Sequence, residues 1–367
     1  MNDIPQKKGR MEMERLFAPW KLKGLELKNR ICVPAMVCFT WSDETGQVSD
    51  RHVDHYRAIA QGGAGLIIQE ATCVDPDGRL SMDQLGIWDD SQIPGLRRIT
   101  EAVHEAGVPI FLQIHHAGVI GAVENRVCPS DYTCMHKGIE KHGRELTGEE
   151  IETIIEEFIR GAERAYRAGY DGVELHGCHS YLLSQFMNRR VNRRTDAWNA
   201  EDMRIVERIL EGIRRVTPES FVTGIRLGAF EPELSDGIAH AKWLEDHGID
   251  FIDVSYGFDA EAEREKPEGY PFAEAIYGAK RIREQVSVPV FAVYGIKSGE
   301  MAEAVLEDTG AAMADIGRGV LVNYRWADDV KNGRDPGKCL ECRTCMWRVD
   351  PSKCAGRILL ERARSRQ

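Results

Sequence analysis

Four of the ten cysteines in this 367-residue chain fall between positions 339 and 354, spaced C-x2-C-x2-C-x8-C. Three thiols at two-residue intervals come onto one side of a tight loop. That suits three irons of a [4Fe–4S] cubane, with the last thiol closing the site. Cys339, Cys342, Cys345 and Cys354 are the candidate ligands. A zinc site more often uses two separated C-x2-C pairs, and unligated thiols are a third reading. Upstream, HGCHSYL at 176–182 sets His176 and His179 three residues apart, with Tyr181 two further on. A histidine pair at this interval can hold a metal, but the spacing offers no third ligand. Structural histidines and a core tyrosine are the plain alternative.

These residues need elements to position them. Short β-branched runs alternate with amphipathic helical stretches along the chain. The strand candidates are 31–36, 65–70, 109–114, 172–175, 221–227, 251–255, 288–293 and 312–317. Helical periodicity falls between them, most clearly over 148–169. Gly107, Gly169 and Gly248 each stand just before a new strand, as helix-stopping glycines do. Eight such units predict a (β/α)8 TIM barrel over 1–330, followed by a cysteine-rich segment over 331–367. A doubly wound open sheet is the rival, but the chain has no G-x-G-x-x-G fingerprint.

In a barrel, chemistry sits where strands end. Those places hold Met36, Glu70–Ala71, Gln113 through His116, His176 through Tyr181, Arg226, Tyr256, Tyr294–Gly295 and Gly317–Arg318. The loops after the seventh and eighth strands, YGIKSG and GRG, stand where barrels often hold phosphate. Two long connections, 117–147 and 257–271, are long enough for a lid.

Composition narrows the function classes. A net charge of −11 disfavours nucleic acid and anionic membrane as partners. No apolar run is long enough to span a bilayer. The charged N-terminus lacks an apolar signal region, so a cytoplasmic protein is expected. In a reducing compartment Cys32, Cys38, Cys73, Cys128, Cys134 and Cys178 read mostly as buried thiols rather than disulfides.

The segments LFAPWKLKGLELKNRICVPAM, YRAIAQGGAGLIIQEATCV, LQIHHAG, AGYDGVELHGCHSYLLSQFMNRRVNRRTD, VPVFAVYGIKSGEMAEAV and IGRGVLVN resemble the Old Yellow Enzyme family of FMN-dependent barrels. They do so in order, over about residues 15–345. The cysteine cluster makes the chain most similar to the iron–sulfur branch, which includes 2,4-dienoyl-CoA reductase and trimethylamine dehydrogenase. The resemblance implies FMN held by Pro34, Ala35, Met36, Ala71, Gln113 and Arg226, with Gly295, Gly317 and Arg318 at the phosphate. A surface ion pair is the alternative for Arg226. The resemblance also implies that His176 and His179 bind the oxygen of the substrate's electron-withdrawing group, and that Tyr181 supplies a proton. The sequence departs from the family pattern at Met36, at AWNAED after NRRTD, at Tyr294, where glycine is usual, and in the tail, where the last cysteine spacing is shorter than the branch implies.

The implied activity is reduction of an activated C=C bond. Electrons would arrive through the cluster from a partner protein, a ferredoxin or an NAD(P)H-oxidising flavoprotein. A homo-oligomer fits the family as well. Two rivals stand beside this reading: an amine dehydrogenase or demethylase, and a non-catalytic electron-transfer subunit.

Overall fold

The computed structural model describes residues 13–257 and 266–366. Eight parallel strands close into a barrel in chain order. They are β1 (Ile31–Val33), β2 (Leu66–Cys73), β3 (Ile110–His115), β4 (Gly172–Gly177), β5 (Val222–Gly228), β6 (Phe251–Ser255), β7 (Val290–Val293) and β8 (Met313–Asp315). β8 returns to β1 through the pairs Ala314↔Ile31 and Asp315↔Cys32. The fold is the (β/α)8 barrel that the alternation of strand and helix patterns predicts.

The period of two along each strand decides what fills the interior. A lower layer is apolar: Phe111, Phe251 and Phe291 stack with centroids 5.5 and 4.7 Å apart, among Cys32, Leu66, Ile68 and Met313. The hairpin Trp20–Leu22 and Leu25–Leu27 contributes Leu22 and Leu27 to the same cluster. Two residues further along the strands the layer turns polar: Gln113, Glu174, Arg226, Asp253 and Asp315, all buried. Two further still stand His115, His176 and Ser255. The apolar plug therefore holds up a polar floor, and that floor carries the imidazoles.

Helices α1 (Asp50–Gln61), α2 (Ile93–His104), α3 (Gly148–Arg167), the short α4 (Leu182–Met187), α5 (Arg204–Val216), α6 (Leu234–Asp246), α7 (Glu274–Arg283) and α8 (Gly299–Thr309) complete the units. Beyond β8 come α9 (Arg318–Val322), α10 (Trp326–Lys331) and α11 (Ala355–Arg364). Gly107, Gly169 and Gly248 have φ of 64°, 92° and 76°, the left-handed region that a helix stop requires. None of the helices among the described residues is long and apolar enough to cross a membrane.

Three expectations are refined. β1 ends at Val33, because Pro34 has no N–H to continue the ladder, so Pro34–Met36 lies in the loop after it. The connection 117–147 carries its own three-stranded sheet, Val127–Cys128, Tyr132–His136 and Ile139–Glu145. Of the connection 257–271, residues 258–265 lie outside the described residues.

The cysteine segment packs on the barrel through Trp347, which is buried 5.4 Å from Trp41 and 5.4 Å from His55. Arg357 lies over the Tyr324 ring at 4.5 Å, and Leu360 is buried.

Candidate functional site

The polar floor is built around one cation. Arg226 on β5 lies 3.0 Å from Asp253 on the neighbouring β6, both buried. Burial alone would lower the guanidinium pKa; Asp253, Cys178, Glu174 and Asp315 outweigh it and raise it. The three carboxyls around it go the other way. Burial pushes Glu174, Asp253 and Asp315 up, so protons are retained among them. Arg226 Nη1 faces Asp253 Oδ2, while Arg226 Nε has no hydrogen-bond partner among the described residues. Gln113 donates its side-chain amide to Glu174 at 2.7 Å.

A cavity of about 280 Å³ opens above this floor, at the ends of β7, β8 and β1. Pro34, Ala35, Met36, Arg226, Gly295, Gly317 and Arg318 line it, together with Tyr294, Lys297, Cys339 and Glu341. Ala71 and Gln113 do not. The β2–β3 register shifts between Gln69 and Thr72, which places Ala71 in an irregular stretch of β2, and its carbonyl accepts from Gln84. At one end of the cavity Lys297 and Arg318 each stand 3.2 Å from Glu341. Gly295, at φ 74°, has nothing within 4 Å of where a Cβ would lie, so its face is open. Tyr294 is held at φ 102°, a conformation costly for any residue with a Cβ, and its ring lies 5.0 Å from that of Tyr256.

The imidazoles form a continuous chain. His115 Nδ1 meets His176 Nδ1 at 3.0 Å, His176 Nε2 meets His179 Nδ1 at 3.0 Å, and His179 Nε2 meets Ser255 Oγ at 2.9 Å. Burial lowers the pKa of all three rings, that of His115 to about 3, so the chain is neutral at physiological pH. The turn that delivers His179 is strained, with His179 and Ser180 at φ 62° and 58°. Glu231 on the β5–α6 connection holds it, accepting from His179 N at 2.9 Å and from the Ser184 hydroxyl.

Tyr181 packs edge-on against His115 at 4.5 Å and against His176 at 4.7 Å. Burial raises its pKa, so the phenol keeps its proton. His115, Ser255 and Glu231 were not among the residues the sequence singled out for roles. The signal for Ser255 and His115 was their even spacing from Asp253 and Gln113 along inward-facing strands. Spacing also missed Cys178 as a third ligand type: its Sγ and the nitrogens of His176 and His179 lie within 4.8 Å of one another.

The tail thiols are free. Cys342 and Cys345 are exposed, and Cys339 and Cys354 half-buried. Cys339 reaches the cavity, and Cys354 packs beside Trp41 and Trp347.

Residues 15–336 match the model of the NADH:flavin oxidoreductase / NADH oxidase family. An NADH oxidase of Thermoanaerobacter brockii is 37% identical over 344 residues, covering 89% of this chain and 52% of its own length. An NADPH dehydrogenase of Bacillus licheniformis is 33% identical over 325 residues, covering 86% of this chain and 94% of the relative. Among solved structures, a 2-naphthoyl-CoA reductase in complex with 2-naphthoyl-CoA superposes with a TM-score of 0.83 at 25% identity, over 92% of this chain and 56% of that one. Morphinone reductase in complex with tetrahydroNAD superposes with a TM-score of 0.70 at 25% identity, over 87% of this chain and 90% of that one. The chain thus spans about half the length of the NADH oxidase and of the naphthoyl-CoA reductase. Barrel and comparisons together define a flavin-oxidoreductase class of enzyme. The chain belongs to the NADH:flavin oxidoreductase / NADH oxidase family, the Old Yellow Enzyme family, and is an oxidoreductase.

Proposed function

We propose that this chain, on its own or within a longer protein, is an FMN- and [4Fe–4S]-dependent reductase of activated C=C bonds. The observation that carries the reading is the cavity over Arg226, the β5 residue paired with His176 on β4, because its donor set fits FMN. Lys297 and Arg318 stand at one end, suited to a phosphate; Gly295 leaves an open backbone face; and Arg226, unpartnered at Nε, lies on the floor. Pro34, Ala35 and Met36 would flank the ring, and Gln113 and Ala71 would contribute from the edge. Bound there, FMN supplies hydride to the β-carbon of the alkene.

The chain's own residues would do the rest. His176 and His179 are the N–H donors assigned to the substrate oxygen, where negative charge develops. Their ring nitrogens are engaged with His115, Ser255 and one another, so an arriving oxygen must compete for those protons. Tyr181 holds its proton at the hydroxyl for delivery to the α-carbon. Cys339, Cys342, Cys345 and Cys354 fit a [4Fe–4S] cluster by donor type, and such a cluster would supply single electrons from a ferredoxin or flavoprotein. This is the property of the iron–sulfur branch. The name of the naphthoyl-CoA reductase favours a conjugated acyl thioester among the substrates, and the names of the other relatives favour a nicotinamide as the ultimate electron source.

The test is anaerobic purification followed by assay. Flavin absorption, about four irons per chain, and reduction of enoates, enones or enoyl thioesters in preference to oxidation of methylated amines are expected. A protein that cannot be reconstituted with flavin sinks the proposal; flavin without iron removes the cluster alone.

A further inference from the structure

We infer that His115 is a positioning residue of this site, setting which nitrogens of His176 and His179 carry protons. The inference rests on the alkene-reductase reading for its catalytic consequence, but its structural part stands alone.

The argument is one of counting protons. His115 and His176 are buried and His179 is half-buried, and desolvation keeps all three rings neutral, so each has one N–H and one lone pair. Three contacts link them to Ser255, and each contact needs one hydrogen. Only two arrangements satisfy all three. In one, Ser255 donates to His179 Nε2, His179 Nδ1–H to His176 Nε2, and His176 Nδ1–H to His115 Nδ1, which leaves an N–H at His115 Nε2. In the other every bond is reversed: His115 Nδ1–H donates to His176, His176 Nε2–H to His179, and His179 Nε2–H to Ser255. In either case His115 closes the chain, because its Nε2 is buried and has no hydrogen-bond partner among the described residues.

The backbone makes this a built feature. Residues 111–114 of β3 pair in register with 172–175 of β4, so the next step sets His115 beside His176. The His115 ring is then wedged edge-on against Tyr181 at 4.5 Å, which limits its rotation. Without His115, the Nδ1 of His176 loses its partner, the constraint on its tautomer goes, and the donor presented to a substrate oxygen is no longer defined. Outer partners of this kind, which fix the tautomer of an acting histidine, are worth tenfold to hundredfold in activity where they have been removed at metal sites.

The experiment uses the flavin-loaded protein with 15N-labelled histidine. Nitrogen chemical shifts report the tautomer of each ring, and kcat/KM is measured for an enone. His115→Ala is expected to shift the signals of His176 and His179, to leave the flavin spectrum unchanged, and to lower kcat/KM by about ten- to a hundredfold. His115→Asn places an amide near the position of Nδ1. It is expected to restore the wild-type tautomers and most of the rate, and it serves as the working variant if the alanine protein does not fold. Unshifted His176 and His179 signals in the alanine variant overturn the inference, as does an equal loss in both variants, which would mark a packing role. Shifted signals in a protein that reduces no alkene uphold the imidazole chain and refute the function proposed above instead.

Discussion

Tyr181 shows what burial does to a single acid. Enclosed by His115 and His176, its phenol is pushed above its ordinary pKa and stays protonated through the neutral range. A general acid of this kind contributes about a hundred- to ten-thousandfold in rate. Tyr181→Phe should therefore lose turnover on that order while keeping flavin absorption and barrel stability, since the ring remains; stopped-flow separation of flavin oxidation from product release measures it. A variant that turns over at the wild-type rate would return Tyr181 to the core. The sequence could point to Tyr181 because a motif carries it. It could not show that the Gln113 amide is drawn to Glu174, because that contact joins residues 61 positions apart across two strands. For the same reason the partners of Arg226 were open: the surface ion pair considered for it is instead a buried contact with Asp253.

At the scale of elements, the strand and helix pattern was legible wherever periodicity was strong and a cap was written into the chain. α3 begins at Thr147, whose hydroxyl accepts from Glu150 N at 3.2 Å while the Glu150 carboxylate accepts from Thr147 N at 2.8 Å. That is a reciprocal capping box, and Arg144 braces the same glutamate at 2.6 Å. Thr147→Ala should destabilise the protein by about 1 kcal/mol, read as a lower urea midpoint with an unchanged slope. The hairpin within 117–147 was harder to see, since its strands are half-exposed and turn only Tyr132 and Cys134 toward an apolar cluster. Its one signal was Lys137–Gly138, which sits at φ 52° and 78° as a two-residue turn between Tyr132–His136 and Ile139–Glu145. The bulge in β2 left no trace in composition, because it depends on pairing with β3.

Across the whole molecule, the buried titratable groups set how stability responds to pH. His52, His55 and His115 have pKa values lowered by burial to about 4, 3 and 3. A base whose pKa falls on folding takes up a proton when the chain unfolds, so these three withdraw stability as pH drops through about 6.5. Glu70 works in the opposite sense. Burial raises its pKa to about 7, so its proton is held in the folded state, and its contribution is present below about 4.5 and lost as pH rises to 7. The two effects meet inside one cluster, since His52 Nε2 lies 3.8 Å from Glu70 and the proton rests on the carboxyl. At pH 5.5 the three imidazoles take up nearly three protons on unfolding and Glu70 releases about one, a net uptake of about two. Integrated from pH 7 to pH 5.5, these four groups alone lower stability by about 2 kcal/mol; His176 and His179 add to that loss, and Glu174, Asp253 and Asp315 act against it. Urea midpoints at the two pH values, compared between the wild type and variants at these positions, measure their share. His55 also matters to the tail, because its ring bridges Tyr324 at 2.9 Å and Trp347. Protonating it should therefore loosen the cysteine segment along with the barrel, and His55→Gln should flatten the pH slope. A His55→Gln protein whose pH slope equals that of the wild type would mean that the His55 ring carries its charge in the folded state as it does in the unfolded chain.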